Sequence, residues 1–244
     1  MASLLLTIIG ASVIISLISL VGVFGLAVKD DILKKLLLVL IGLASGGLLG
    51  GAFFHLLPEV MGAGEIIFVY LMVGFVLFFI TEKYLYWRHC HDGKCEIHTF
   101  TYMNMIGDMI HNFIDGLVIA GSFLVGTHVG WITTLAVAMH EIPQELGDFA
   151  VFVYGGFSKS KALVYNFLSA LTAVAGAVFG FYLGGHVEGL TVFLLPFAAG
   201  GFIYIASSDL IPELHKEPDK KKSMISFLMF VVGLVLMWGL TLLE

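Results

Sequence analysis

Residues 46–59 read GGLLGGAFFHLLPE, and residues 200–213 read GGFIYIASSDLIPE. At a constant offset of 154 residues, six of the fourteen positions are identical: two Gly, then Ala, Leu, Pro and Glu. Each copy lies in a long apolar run that Gly and Pro interrupt. The match predicts that the chain contains two related halves, and chance similarity between two apolar, Gly-rich stretches is the alternative.

The composition around this repeat is that of a membrane protein. Of the 244 residues, 59% are hydrophobic and only 12% are charged, and the mean hydropathy is +1.01. A soluble domain carries about twice that charged fraction. No basic patch suggests a nucleic-acid partner. We therefore expect residues 1–244 to form a single transmembrane domain in a lipid bilayer.

The apolar runs predict an all-α protein with eight transmembrane helices. Each run exceeds the roughly 20 residues that a helix needs to cross the hydrocarbon layer. The first run could instead be a signal peptide, but it has no basic residues before it and is too long for one. The predicted helices span 3–28, 34–60, 65–86, 100–126, 129–157, 160–184, 189–213 and 223–243.

The twelve Lys and Arg residues lie in alternate connections between these runs or in the helix turns that border them, at 29–35, 83–94, 159–161 and 216–222. The connections at 61–64, 127–128 and 185–188 contain none. The positive-inside rule then places the basic connections in the cytoplasm and both termini outside. We expect the cell membrane as the location.

This topology makes the repeat an inverted one, because the second helix runs outward and the seventh runs inward. Helices one to three then correspond to helices six to eight. Inverted repeats of Gly- and Pro-interrupted helices are typical of secondary transporters, which bind their substrate near the middle of the bilayer. Helices four and five lie between the two halves.

Polar side chains concentrate on these two central helices. Ionisable groups inside a membrane span are costly and usually face the bundle interior. Imidazole, carboxylate and amide groups suit Zn²⁺, Fe²⁺ or Mn²⁺, so we predict a metal site between helices four and five. The polar residues are Asp108, His111, Asn112 and Asp115 on helix four, and His140, Glu141, Gln144, Glu145 and Asp148 on helix five.

Two alternatives to a metal site remain open for these polar residues. They could form hydrogen bonds that hold helices together, or they could form a proton relay. His55 on the second helix is a further candidate ligand. Pro143 removes a backbone hydrogen bond and could mark a pivot. Residues that could line the ends of a pathway are Glu59 at the outer end, Asp108, Glu145 and Asp209 within the membrane, and Glu213 and His215 at the inner end.

A second candidate site is the loop at 87–99, within the stretch WRHCHDGKCEIHTF at 87–100. Two Cys and two His can bind Zn²⁺ tetrahedrally, and cytoplasmic thiols stay reduced. A polar loop with no metal and a disulfide between Cys90 and Cys95 are the alternatives. The candidate ligands of this loop are His89, Cys90, His91, Cys95 and His98.

HNFIDG at 111–116 and HEIPQELGDFA at 140–150 resemble the fourth and fifth helices of the ZIP (Zrt-, Irt-like protein) metal transporters. FHLLPE at 54–59, NFLSALTA at 166–173 and SSDLIPEL at 207–214 are similar to the second, sixth and seventh helices of that family. The nearest branch is the one whose fifth helix reads HEIPHE.

The resemblance implies uptake of a divalent metal into the cytoplasm as the activity. Zinc is the first expectation, iron and manganese are the alternatives, and no organic cofactor is implied. It also implies a homodimer. The matched positions of a primary metal site are His55, His111, Asp115, His140 and Gln144, and those of an adjacent second site are Asn112 and Glu141, with Asp115 as the bridge.

The chain departs from the pattern at Gln144, where the family has His or Glu. A neutral amide binds metal weakly, so we expect lower affinity and a shift toward harder ions such as Mn²⁺ or Fe²⁺. Two other functions remain open. One is a proton-coupled exchanger or channel. The other is a membrane-embedded, metal-dependent hydrolase, because HEIPQ partly matches HExxH, although the second His is missing and Pro lies inside the motif.

Overall fold

The computed structural model describes residues 2–24, 29–89 and 97–242. Cys90, His91 and Cys95 of the predicted loop site lie outside these residues. The helices are α1 (Ala2–Ile18, extended by the 3₁₀ turn Ser19–Gly22), α2 (Asp30–Gly50), α3 (Ile66–His89), α4 (Thr99–Val125), α5 (Thr127–Tyr154), α6 (Lys159–Ala170 and Thr172–Leu183), α7 (Val187–Tyr204) and α8 (Lys220–Leu240).

Seven helical stretches in the described part of the chain are long and apolar enough to cross a membrane. The exception is α5, whose apolar run is interrupted by Glu141, Glu145 and Asp148. These three side chains are buried against neighbouring helices. The structure thus confirms the prediction of an all-α integral membrane protein with several crossings.

The predicted helix ends differ from the observed ones by a few residues. The second helix begins at Asp30 rather than at residue 34, and the seventh begins at Val187 rather than at residue 189. The apolar run in the sequence marks only the part of a helix that lies in the hydrocarbon layer. The first and last turns extend beyond that layer and contain polar residues, so the apolar run does not include them.

The repeat is visible in the local structure. A π-helical turn spans Gly51–Leu56 after α2, and a second one spans Ile205–Leu210 after α7. The two turns are separated by the same 154 residues as the sequence repeat. Pro58 and Pro212 follow them at equivalent positions. Proline has no backbone N–H to donate to a carbonyl of the preceding turn. The π-helical turn before each proline has a different pattern of backbone hydrogen bonds from the α-helix, which accommodates the missing donor.

Equivalent glycines bring two pairs of helices together. A Cβ at Gly46 would overlap the carbonyl oxygen of Phe230, so α2 can approach α8 this closely only with glycine there. A Cβ at Gly200 would overlap the carbonyl oxygen of Leu71 in the contact between α7 and α3. The α2–α8 and α7–α3 contacts therefore correspond to each other across the repeat.

The described lysines lie toward one end of the bundle, which we call the lysine end. Two hydrogen bonds join its connections. The His98 N–H donates to the Gly155 carbonyl at 2.9 Å, and the Tyr154 hydroxyl donates to Glu213 at 3.1 Å. The connections at 64–65, 126 and 184–186 lie at the opposite end and contain no Lys or Arg. We call it the lysine-free end.

Candidate metal site between helices α4 and α5

Four side chains form a cluster where α4 faces α5. His111 and Asp115 come from α4, and His140 and Glu141 come from α5. All four are between 0% and 3% exposed. One potential ligand atom from each lies within 4.8 Å of the others, which is close enough for one ion to contact all four. We call these residues the first cluster.

Asp115 lies at the centre of the first cluster. Its Oδ2 is 3.4 Å from Nε2 of His111 and 3.4 Å from Nε2 of His140. His111 and Asp115 are four residues apart, so the helix places them on one face. Glu141 Oε1 lies 3.6 Å from Nε2 of His111. The carboxylate of Asp115 thus bridges the two imidazoles.

Several polar atoms of the first cluster have no hydrogen-bond partner in the described part of the protein. They are both ring nitrogens of His111, Nδ1 of His140 and both carboxylate oxygens of Glu141. Buried polar groups are normally paired, because an unpaired one carries a desolvation penalty. Nitrogen and oxygen donors that converge in this way could hold a cation.

A cavity of about 560 Å³ reaches the first cluster from the lysine-free end. Its lining includes Asp115 at the base and Ser122, Thr133 and Leu240 farther out. His55 and Glu59 line it from the α2 side. His55 lies on the first π-helical turn, and its ring centroid is 4.4 Å from that of His140. The structure thus brings two of the predicted ligands and one predicted pathway residue to the same cavity.

A second cluster lies closer to the lysine end and contains Asp108, Glu145 and Asp148. One carboxylate oxygen from each lies within 4.8 Å of the others, and all three are at most 3% exposed. Asp108 and Glu145 were predicted pathway residues, whereas Asp148 was not among the predicted ligands. We call these three the second cluster.

Polar side chains from α4 and α6 surround the second cluster. Asn104 donates to Asp148 Oδ1 at 2.8 Å, and Asn112 donates to Asp108 Oδ1 at 2.8 Å. Asn166 donates to Glu145, and Ser169 donates to Asp108. Asn104, Asn166 and Ser169 were not predicted as site residues. Asn166 and Ser169 are three residues apart on α6, so they share one face of an apolar span, and that spacing is the signal that could have found them.

The structure groups two predicted ligands differently from the family pattern. Glu141 belongs to the first cluster, whereas Asn112 contacts the second through Asp108. Gln144 is half-buried and lines a crevice of about 10 Å³ between α5, α2 and α8, together with Asp148. Helix α5 continues through Pro143.

The remaining predicted residues lie at the lysine end. Asp209 is on the second π-helical turn and has a buried Oδ2 without a partner in the described part of the chain. Glu213 accepts a hydrogen bond from Tyr154 and pairs with Lys216, while His215 is exposed. His98 stacks on Phe100 with 5.1 Å between ring centroids. The helical end of the loop at His89 is described only in its backbone.

The chain is similar to known zinc transporters. Zinc transporter zipt-7.1 of Caenorhabditis briggsae is 29% identical, and the alignment covers 84% of this chain and 71% of that protein. Zinc transporter ZIP13 of Pongo abelii is 34% identical, with coverage of 81% and 65%. Zinc transporter SLC39A7 of Homo sapiens is 29% identical, with coverage of 93% and 69%. The chain thus spans about two thirds of the length of these relatives.

A family model gives the same result over most of the bundle. The model described as ZIP Zinc transporter matches residues 88–241, which include α4, α5 and both clusters. This family consists of transporters rather than enzymes, so the hydrolase alternative is excluded. The chain belongs to the ZIP zinc transporter family.

Proposed function

We propose that this protein carries divalent metal ions across the membrane, with Zn²⁺ as its main substrate. The observation that carries the proposal is the first cluster, where buried nitrogen and oxygen donors without hydrogen-bond partners converge at the base of a cavity. The zinc transporters among its relatives support the choice of ion.

The ligand set fits an ion that binds and then leaves. His111 and His140 supply imidazole nitrogens, which suit Zn²⁺ and Fe²⁺, while Asp115 and Glu141 supply carboxylates, which also suit Mn²⁺. The two carboxylates together balance the charge of one divalent ion. A transport site must hold its ion without retaining it, so this mixed set suits transport better than a closed cage of thiolates does. Iron and manganese remain secondary substrates in this proposal.

We propose uptake into the cytoplasm as the direction. The positive-inside rule assigns the lysine end to the cytoplasmic side. The cavity that reaches Asp115 then opens on the outer side of the cell membrane. Residues 2 and 240 lie on the same side. An ion would pass from the cavity to the first cluster and leave near Asp209, Glu213 and His215.

The repeat supports a path with two matched ends. His55 and Asp209 occupy equivalent positions, as do Glu59 and Glu213, because each pair is separated by 154 residues. His55 and Glu59 line the outer cavity, whereas Asp209 and Glu213 lie at the other end. Transporters with inverted repeats alternate access by moving one half against the other around a fixed site. Coupling to protons, and a homodimer, remain predictions from the sequence.

The test is uptake of Zn²⁺ by purified protein in sealed proteoliposomes, measured at two pH values. We expect the wild type to accumulate Zn²⁺, and we expect His111→Ala and Asp115→Ala each to reduce uptake to the level of empty vesicles. His186→Ala is the matched control, since this exposed histidine lies outside the cluster. Normal uptake by both cluster variants would contradict the proposal.

The same vesicles test the alternative of a proton-coupled exchanger. A pH gradient without metal should drive no ion flux if metal is the only substrate. A strong dependence of Zn²⁺ uptake on that gradient would instead support coupling. Competition by Fe²⁺ and Mn²⁺ gives the order of substrates.

A further inference from the structure

A cavity of about 550 Å³ opens at the lysine end, between the first half of α8 and the short helix Ile211–His215. Its lining includes none of the residues of the first or second cluster. Cavities of about 300–1,000 Å³ are the usual size of ligand pockets in proteins. This cavity, which we call the lysine-end groove, is therefore large enough to hold a molecule of its own.

One face of each helix forms the wall of the lysine-end groove. Residues three and four apart share one face of a helix, and the lining residues follow that spacing. The short helix contributes Ile211, Leu214 and His215. The main lining residues from α8 are Lys220, Ser223, Met224, Phe227 and Phe230.

The groove is polar at one end and apolar at the other. Lys220 is the first residue of α8, and Ser223 follows one turn later. Phe227 and Phe230 lie two and three turns into the helix. Lys220 and Phe230 are separated by roughly 15 Å along the helix axis, at 1.5 Å per residue. A molecule that fills the groove must therefore combine a polar head with a long apolar part.

The polar end of the groove is surrounded by positive charge. Four lysines occur within residues 216–222, and all four are exposed. Lys220, which lines the groove, has no carboxylate within ion-pair distance in the described part of the chain. The four residues are Lys216, Lys220, Lys221 and Lys222.

The acidic side chains nearby are engaged in other contacts. Glu213 accepts a hydrogen bond from Tyr154 and pairs with Lys216. Asp219 accepts hydrogen bonds from two backbone N–H groups in the first turn of α8, and Glu217 accepts one from the backbone N–H of Asp219. The charge that remains available at the mouth of the groove is therefore that of the lysines.

The apolar part of the groove opens sideways rather than toward the protein interior. Met224 and Phe227 are 58% and 55% exposed, and they lie on a membrane-spanning helix. Side chains that are exposed on such a helix contact lipid. In the proposed orientation this is the cytoplasmic leaflet, where anionic lipids attract lysines at the ends of membrane helices.

We propose that the lysine-end groove binds one anionic phospholipid of this leaflet. The phosphate lies beside Lys220 and His215 and accepts a hydrogen bond from the hydroxyl of Ser223, and charge-assisted bonds of this kind are the stronger ones. One acyl chain follows α8 along Phe227 and Phe230. The lipid would hold α8 against the short helix. This inference concerns a lipid site and goes beyond metal transport.

A second copy of the chain is a less favourable occupant. A twofold contact centred on the groove would bring the partner's four lysines against the four already there, and like charges repel. A free phosphate ion would leave the apolar part of the groove empty. A phospholipid satisfies both ends.

The test is native mass spectrometry of the purified full chain in detergent, titrated with phosphatidylglycerol or with phosphatidylcholine of identical acyl chains. We expect one phosphatidylglycerol to bind saturably and phosphatidylcholine to bind at least about fivefold more weakly. Lys220→Gln should weaken phosphatidylglycerol about fivefold, which is the contribution of one lysine to attraction by an anionic membrane surface.

Lys83→Gln is the matched control, because it removes an exposed lysine of the same end, on α3 and outside the groove. It should bind phosphatidylglycerol as the wild type does. Ser223→Phe fills the groove and keeps all four lysines, so the saturable binding should disappear in this variant. Ser223→Phe also tests the site if Lys220→Gln does not fold.

Three results would overturn the lipid site. The first is wild-type affinity for phosphatidylglycerol in both Lys220→Gln and Ser223→Phe, or an equal loss in Lys83→Gln. The second is displacement of the lipid by inorganic phosphate but not by sodium chloride of equal ionic strength, which would identify a site for a free anion. The third is a change of oligomeric state in Ser223→Phe with unchanged lipid binding, which would make the groove an interface between two chains.

Discussion

The first and second clusters are built on the same two helices but differ in ligand chemistry and in access. The first combines two imidazoles with two carboxylates and lies at the base of a cavity. The second contains only carboxylates, and Asn104, Asn166 and Ser169 cover it. The helical element packed against each cluster explains the difference in access. The first cluster faces the π-helical turn that carries His55, whereas the second packs against α6. Which helix covers α4 and α5 thus decides which site is open.

An Asp→Asn substitution in each cluster gives the largest expected change in Zn²⁺ uptake. Asp115→Asn removes the carboxylate that bridges His111 and His140, and Zn²⁺ uptake should fall by at least about 100-fold, since losing supporting groups alone costs about 10–100-fold. Asp148→Asn should lower uptake by only about 10-fold. Initial rates in proteoliposomes at equal protein density provide the measurement.

Thermal unfolding of both Asp→Asn variants in detergent controls for loss of structure. If Asp148→Asn removed uptake as completely as Asp115→Asn while both stayed folded, the expected difference between the two clusters would be wrong.

A substitution at His55 tests whether the cavity beside the first cluster is part of the ion's path. His55→Ala removes an imidazole that lines the cavity beside His140. We expect Zn²⁺ uptake to fall roughly tenfold, mainly through a higher KM, because groups that support a metal site typically contribute about 10–100-fold to metal affinity. His128→Ala, at an exposed position near the lysine-free end, serves as the control. An unchanged KM would remove His55 from the path.

Gln144 lies between the two clusters along α5. Gln144→His adds an imidazole one turn from His140, and nitrogen ligands favour Zn²⁺ over Mn²⁺. We expect the ratio of Zn²⁺ to Mn²⁺ uptake to rise by a factor of about three, from the stronger preference of nitrogen ligands for zinc. An unchanged ratio in competition assays would contradict this expectation and would show that the residue at position 144 does not contact the ion.

The loop between α3 and α4 should have the smallest effect on the rate. Replacement of His89, Cys90, His91, Cys95 and His98 by Gly and Ser should leave the initial rate of Zn²⁺ uptake unchanged, since both clusters lie elsewhere. Its effect should appear as altered regulation at high internal metal. Complete loss of uptake would instead make this loop part of the pathway.

The proximity of His111 and Asp115 could be predicted from the sequence because helix geometry is regular. His111 and Asp115 share a face at a spacing of four residues, and the contact follows from that spacing. The same reasoning applies to the repeat, where the equivalent Pro58 and Pro212 indicated irregular helices, and both copies contain a π-helical turn. Both features follow from residues that are close together in the sequence.

The second cluster was harder to predict because it depends on which helices touch. Asn166 meets Glu145 only because α6 packs on α5, and Asn104 meets Asp148 across the contact between α4 and α5. The spacing of residues within one helix does not predict such a contact between two helices. The same holds for Glu141, which joins the first cluster, and for Asn112, which contacts the second cluster through Asp108.

Anomalous diffraction from crystals soaked in Zn²⁺ tests the central claim most directly. The account predicts a strong peak between His111 and His140, within bonding distance of Asp115 and Glu141, and its disappearance in Asp115→Ala crystals. A featureless map at that place, with zinc bound only at surface residues, would contradict it.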